Sequence, residues 1–290
     1  SSNTINIASS KIFDISKVSF IDRDISFNTT YLYGITARAI PVDGAVKTEY
    51  FETNIKGAEN VCDFARDKNI NTIVFSSSIA VYGTYEEVKS EETLPMPDIP
   101  YGISKLSAEY IHKKWQAEDP LKRRLIILRP GVVFGQYEKG NFTRLINSLK
   151  GKYFAYVGRK ETKKANIYVK DLVQVIYELS IDQSLSVETY NVSYNPSLRI
   201  QEIVSSVSAL GEMKFPRIVI PTWLIMFLSG LMFYVLKKKD FHPERMNKLV
   251  ISNNIDSKKI NNKIEFNFGF INGISDWMSD TEFLRKNKIY

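Results

Sequence analysis

Tyr101 and Lys105 stand four residues apart in PYGISKLSAEY, and upstream an apolar run, Thr72 to Phe75, opens into Ser76, Ser77 and Ser78. On a helix, side chains at i and i+4 stack on one face, so this phenol and this ammonium can share a pocket. A free tyrosine ionises near pH 10. A neighbouring ammonium favours the phenolate, and the expectation is that Lys105 lowers the pKa of Tyr101 enough to make it an acid/base near neutrality. A hydroxyl at the strand end, Ser78, can donate to an oxygen that gains charge as C–OH and C=O interconvert. Side chains carry no hydride, so the trio Ser78, Tyr101 and Lys105 implies a nicotinamide cofactor, NAD or NADP. A YxxxK pair alone occurs by chance on many amphipathic helices; the strand and serine cluster before it give it weight.

The elements that must position these groups are readable in outline. The run Thr72–Phe75, bounded by small polar residues, predicts a strand buried on both faces. Tyr101, Ser104, Ala108, Ile111 and Trp115 mark a helix, and Leu125 to Leu128 form a second buried strand ending at Arg129-Pro130. Two strand-helix alternations in a row predict a parallel sheet with helices on both faces. Earlier, Ile55, Ala58, Val61, Cys62 and Ala65 follow helical spacing. Asn54, at the start of that helix, suits an N-cap or a site-supporting amide.

SSSIAVYG, YGISK, ETNIKGAENV, LRPGVVFG and NIYVKDLV together resemble the extended short-chain dehydrogenase/reductase family, nearest to its nucleotide-sugar 4-epimerases, dehydratases and ketoreductases. The likeness runs from about Tyr31 to Asn195 and weakens beyond. It implies a Rossmann-like doubly wound α/β fold over residues 1–135, whose elements return after residue 160. A smaller α/β substrate-binding region would occupy most of 136–290. It also implies an NAD(P)-dependent epimerase or ketoreductase acting at C4 of a nucleotide-activated sugar, in surface polysaccharide biosynthesis, and working as a homodimer.

By the same resemblance, Thr36, Ala37, Arg38, Asn54, Ser76, Ser77, Tyr101, Lys105, Pro130, Val132 and Val133 face the cofactor. Ser78, Ile79, Ala80, Tyr101, Asn141 and Phe142 face the sugar nucleotide. A dehydratase of this family carries an Asp-Glu pair directly after the strand-end hydroxyl. Ile79 and Ala80 occupy those places, which disfavours dehydration. Asp171, in NIYVKDLV, suits an N-cap or a ligand contact.

The family's phosphate-binding glycine loop is not found: the first glycine is Gly34. The opening residues are also too few for a whole first strand-helix-strand unit, which takes roughly 30 residues or more. Either segments of the natural chain are missing before Tyr31 or the loop has been lost; the intact downstream residues favour the former.

A net charge of +7 suits phosphate-bearing ligands or an anionic membrane face. The lysines are scattered and match no nucleic-acid motif. One cysteine, Cys62, and two histidines, His112 and His242, exclude an internal disulfide and argue against a metal cluster. With no signal peptide at the start, a cytoplasmic location is expected.

The stretch 218–236 carries no charge and is followed by Lys237, Lys238 and Lys239. It suits a buried or dimer-packing helix, a helix lying on a membrane surface, or a short span. Two rival functions follow: turnover of a lipid-linked sugar or other apolar substrate at the membrane, or a scaffold that kept the fold without catalysis.

Overall fold

A computed structural model of the chain describes residues 50–182, 187–230 and 250–279. Thr36, Ala37 and Arg38 lie outside the described residues, as do 231–236 of the apolar stretch.

In chain order, a π-helical turn (Glu52–Lys56) runs into α1 (Gly57–Asp67), and β1 (Thr72–Ser76) ends in a 3-10 turn (Ile79–Tyr82). Then come α2 (Pro100–Ala117), β2 (Arg124–Pro130), β3 (Val132–Phe134), α3 (Asn141–Lys150), β4 (Tyr156–Val157), β5 (Lys163–Lys164) and β6 (Asn166–Tyr168). The remainder comprises α4 (Val169–Ile181), β7 (Val187–Val192), β8 (Leu198–Arg199), α5 (Ile200–Leu210), β9 (Val219–Ile220), α6 (Thr222–Gly230), α7 (Lys258–Asn261) and α8 (Gly269–Ser279).

The described sheet has the order β1-β2-β7, all parallel, with Phe75 opposite Ile127 and Leu128 opposite Tyr190. β2 is buried over its whole length because it has a strand on each side and helices on both faces. Its side chains alternate. Leu125 and Ile127 pack with Ile73, Cys62, Ala65 and Trp115 beneath α1 and α2. Ile126 and Leu128 face the other way, towards Val175 and Leu179 of α4, Val207 of α5 and Trp277 of α8. This is a Rossmann-like, doubly wound arrangement.

β1 departs from the expectation of burial on both faces. Ile73 is buried, Thr72, Val74 and Phe75 are half-buried, and Ser76 is exposed.

The chain leaves the sheet at Gly131, where a Cβ would come within 2.8 Å of the Ala165 carbonyl. Only glycine lets the two backbones approach so closely, and β3 then pairs in parallel with β6. Beyond it Phe134 gathers Phe142, stacked at 4.7 Å, with Tyr168 and Phe270. The two-residue pairs β4–β9 and β5–β8 lie outside the main sheet.

Candidate active site

The carboxyl end of β1 turns sharply at Ser78. Its backbone is extended, and its hydroxyl oxygen accepts the Ala80 amide at 3.1 Å, capping the 3-10 turn. α2 begins opposite this turn, started by Pro100 at its first position, where the missing N–H has no helical partner to lose. Gly102 seats it there: a Cβ would lie 2.4 Å from the Ala80 carbonyl oxygen. This contact brings Tyr101 to Ser78, and a side-chain hydrogen bond joins them. The Ser78 oxygen thus accepts from the Ala80 amide while its side chain also bonds the phenol.

Burial holds the Tyr101 phenol above its ordinary pKa, against the opposing influence of the Ser78 hydrogen bond. The expected lowering by Lys105 is therefore not found. The ammonium instead donates to the Ser76 carbonyl at 3.0 Å and lies 5.2 Å from the Phe75 ring centroid. Burial also depresses the pKa of Lys105. Proximity along the helix supplies the ammonium, but burial sets the direction of the phenol's pKa. The Tyr50 ring packs edge-on against Tyr101 at 5.5 Å.

Support for α2 comes from Asn54. Its amide donates to Ser104 Oγ at 2.9 Å, and that hydroxyl donates to the Tyr101 carbonyl at 2.9 Å. Asn54 sits inside the π-helical turn and makes no N-cap bond. It is a strut between α1 and the first turn of α2.

Ser77 points away from its neighbours. It is buried and donates to Glu109 Oε1 at 2.6 Å. Glu109 receives two further bonds from Arg129, at 2.9 and 2.6 Å, and Arg129 also donates to the Tyr82 hydroxyl. Tyr82 in turn donates to Asn191 Oδ1 at 2.8 Å. This network ties the ends of β1, β2 and β7 to α2 behind the trio. Ser77 thus serves the scaffold and cannot present its hydroxyl to a cofactor without breaking the network. Sequence reasoning missed Glu109 and Tyr82. The available signal was Glu109 four residues beyond Lys105, next to Ala108 on a face that had to be buried.

The other expected residues divide. Pro130, Val132 and Val133 lie where β2 passes into β3, and Ser76 is exposed at the end of β1. Ile79 and Ala80 form the turn after Ser78. Asn141 is the exposed first residue of α3, whereas Phe142 is buried on Phe134 and belongs to the core. Asp171 accepts from Tyr194 Oη at 2.7 Å and from the Phe268 and Gly269 amides at 3.0 Å, so it caps α8 rather than its own helix.

Ser76, Ser78, Tyr101, Lys105 and the Pro130–Val133 corner therefore surround the carboxyl ends of β1 and β2. In a parallel α/β sheet ligands bind there. The half-buried phenol, hydroxyl and ammonium beside small apolar residues fit the nicotinamide half of a dinucleotide. Among the described residues no group of three or more His, Cys, Asp or Glu could hold a metal ion.

The chain resembles known proteins in sequence and in fold. The model of the NAD dependent epimerase/dehydratase family matches residues 4–193. An N-acetyl-alpha-D-glucosaminyl-diphospho-ditrans,octacis-undecaprenol 4-epimerase of Escherichia coli O157:H7 is 30% identical over 216 residues, covering 73% of this chain and 65% of that protein. A UDP-glucose 4-epimerase of Vibrio cholerae is 26% identical, covering 68% of this chain and 61% of its own. The chain thus spans less than two thirds of the length of either curated relative. Among solved structures, a UDP-glucuronic acid 4-epimerase from Bacillus cereus in complex with NAD superposes with a TM-score of 0.64 at 17% identity, covering 86% of this chain and 72% of that one. The fold is shared.

Proposed function

The chain belongs to the NAD dependent epimerase/dehydratase family, and from that premise we propose that it interconverts C4 epimers of a hexose carried on a nucleoside diphosphate. The observation that carries this reading is the meeting of Ser78, Tyr101 and Lys105 at the carboxyl end of β1. Bound NAD would supply the hydride acceptor and donor for C4. Tyr101, in contact with Ser78, would act as the phenolate that takes the C4 hydroxyl proton as hydride leaves C4, and as the phenol that returns it when hydride comes back to the opposite face of C4. Ser78 can donate its proton to the C4 oxygen and stabilise charge there. Lys105, anchored on the Ser76 carbonyl, holds a cation beside the nicotinamide ribose.

The 3-10 turn places Ile79 and Ala80, which have no acid or base, directly after Ser78, and this supports epimerisation over dehydration. The test is incubation of the purified protein and NAD with UDP-hexoses, followed by chromatographic resolution of the C4 epimers. Formation of the epimer by wild type and its loss in Tyr101→Phe is the expected result. NAD binding without any epimer from any diphospho-sugar would remove the reading.

A second carrier has specific support. The 30% identical relative is named for a sugar on diphospho-undecaprenol, and this chain exposes aromatic side chains on α6. Assaying polyprenyl-diphosphate sugars beside UDP-hexoses separates the two substrates.

A further inference from the structure

The segment 214–230 exposes more large apolar groups than a soluble surface needs. Phe215, Ile218, Trp223 and Phe227 are 58%, 66%, 70% and 65% exposed. Trp223 and Phe227 are four residues apart on α6, so they project from one face. α6 has no charged residue in TWLIMFLSG, whereas the exposed Lys214 and Arg217 flank the patch on the chain. No helix among the described residues is long and apolar enough to cross a membrane.

The patch is tied to the fold through β9. β9 pairs with β4, the Tyr156 and Gly158 amides donating to the carbonyls of Ile218 and Ile220 at 2.9 and 2.8 Å. A cleft of about 310 Å³ beside it is lined by Glu86, Gly158, Arg159, Thr222, Val250 and Ile251. Glu86, paired with Arg159, lies on the loop that follows the Ser78 turn. The cleft therefore lies between Thr222, at the start of α6, and the loop that follows the Ser78 turn.

We propose that this face is a membrane-docking surface, with Trp223 and Phe227 seated in the interface of an anionic bilayer and Lys214 and Arg217 against its headgroups. Tryptophan favours the headgroup level, and cations beside an apolar helix face add attraction to anionic lipid. Lys214 and Arg217 are exposed, and no acidic residue separates them from Trp223, so this stretch carries the charge that anionic headgroups complement. The surface goes beyond the epimerase reading and is tested without turnover.

Trp115 and Trp277 are buried, so a change in tryptophan emission on adding lipid reports Trp223. The whole chain is mixed with vesicles of phosphatidylcholine alone or with phosphatidylglycerol, then sedimented and read by fluorescence. Wild type is expected to sediment with the anionic vesicles and its emission to shift to the blue. Trp223→Ser/Phe227→Ser should keep its circular dichroism and lose roughly tenfold or more in partitioning. Lys214→Glu/Arg217→Glu should weaken partitioning on anionic vesicles specifically. Equal binding to both vesicle types, binding unaffected by the Trp223/Phe227 pair, or no binding to either overturns the proposal. So does a concentration-dependent blue shift without lipid that coincides with dimerisation in sedimentation velocity, because the face would then belong to a second copy.

Discussion

Tyr101 can lose its hydroxyl without losing its place, since the ring still packs against Tyr50 and the helix beneath it is untouched. Tyr101→Phe should therefore lower kcat by roughly 10²–10⁴, the range for general acid–base groups, while calorimetry shows unchanged NAD affinity. Ser78→Ala removes two things at once, the hydroxyl proton and the acceptor for the Ala80 amide. The capping loss alone is about 1 kcal/mol of stability. Ser78→Thr retains both and should recover most of the turnover. The identities of these residues were legible because phenol, amine and hydroxyl occur at spacings that chemistry and the helix period both select. The direction of the Tyr101 pKa was not legible. Sequence gives proximity to Lys105, but burial depends on how distant segments, Tyr50 among them, cover the ring. Ser77 misled for a related reason: Glu109, which turns its hydroxyl inward, is 32 residues away.

The contact between α2 and the 3-10 turn is the element-scale hinge of the site. At Gly102→Ala the new Cβ meets the Ala80 carbonyl oxygen, so α2 or the turn must move. The expected outcome is a loss of kcat exceeding that expected from the drop in thermal midpoint, because the shift separates Tyr101 from Ser78. An unchanged kcat would show that the seating is incidental. Behind that contact, Glu109→Ala leaves Arg129 buried without its carboxylate partner. Breaking a buried pair from one side typically costs about 3–5 kcal/mol. Urea denaturation of Glu109→Ala and of the double variant Glu109→Leu/Arg129→Met should show the single change as the more destabilising. The long elements were readable: Tyr101, Ala108 and Trp115 mark α2, and LIIL fills β2. The two-residue strands β4, β5, β8 and β9 were not, because no local pattern specifies them; each exists only through its partner. Phe142 was misplaced for the same reason, its stacking on Phe134 being a tertiary fact.

At the scale of the whole molecule, one buried group couples stability to pH. His112 joins the elements beneath the site: its ring lies 4.4 Å from Phe75 of β1, and Nδ1 is 3.3 Å from Cys62 Sγ of α1. Burial, reinforced by the charge of Lys105, depresses its pKa to about 4. Cys62 offers no compensating charge, since burial raises its thiol to about 11. A depressed folded value means that the unfolded chain binds the proton first. The neutral ring's contribution is therefore complete above the unfolded value near 6.5 and is lost as pH falls towards 4. The slope is about 1.4 kcal/mol per pH unit within that window, so about 2 kcal/mol should vanish between pH 7 and pH 5. His112→Gln can still hydrogen-bond near Cys62 but does not titrate. Urea midpoints at the two pH values should fall further for wild type than for the variant. Parallel losses in both proteins would show that acid sensitivity arises elsewhere and that His112 is reached by solvent before the chain unfolds.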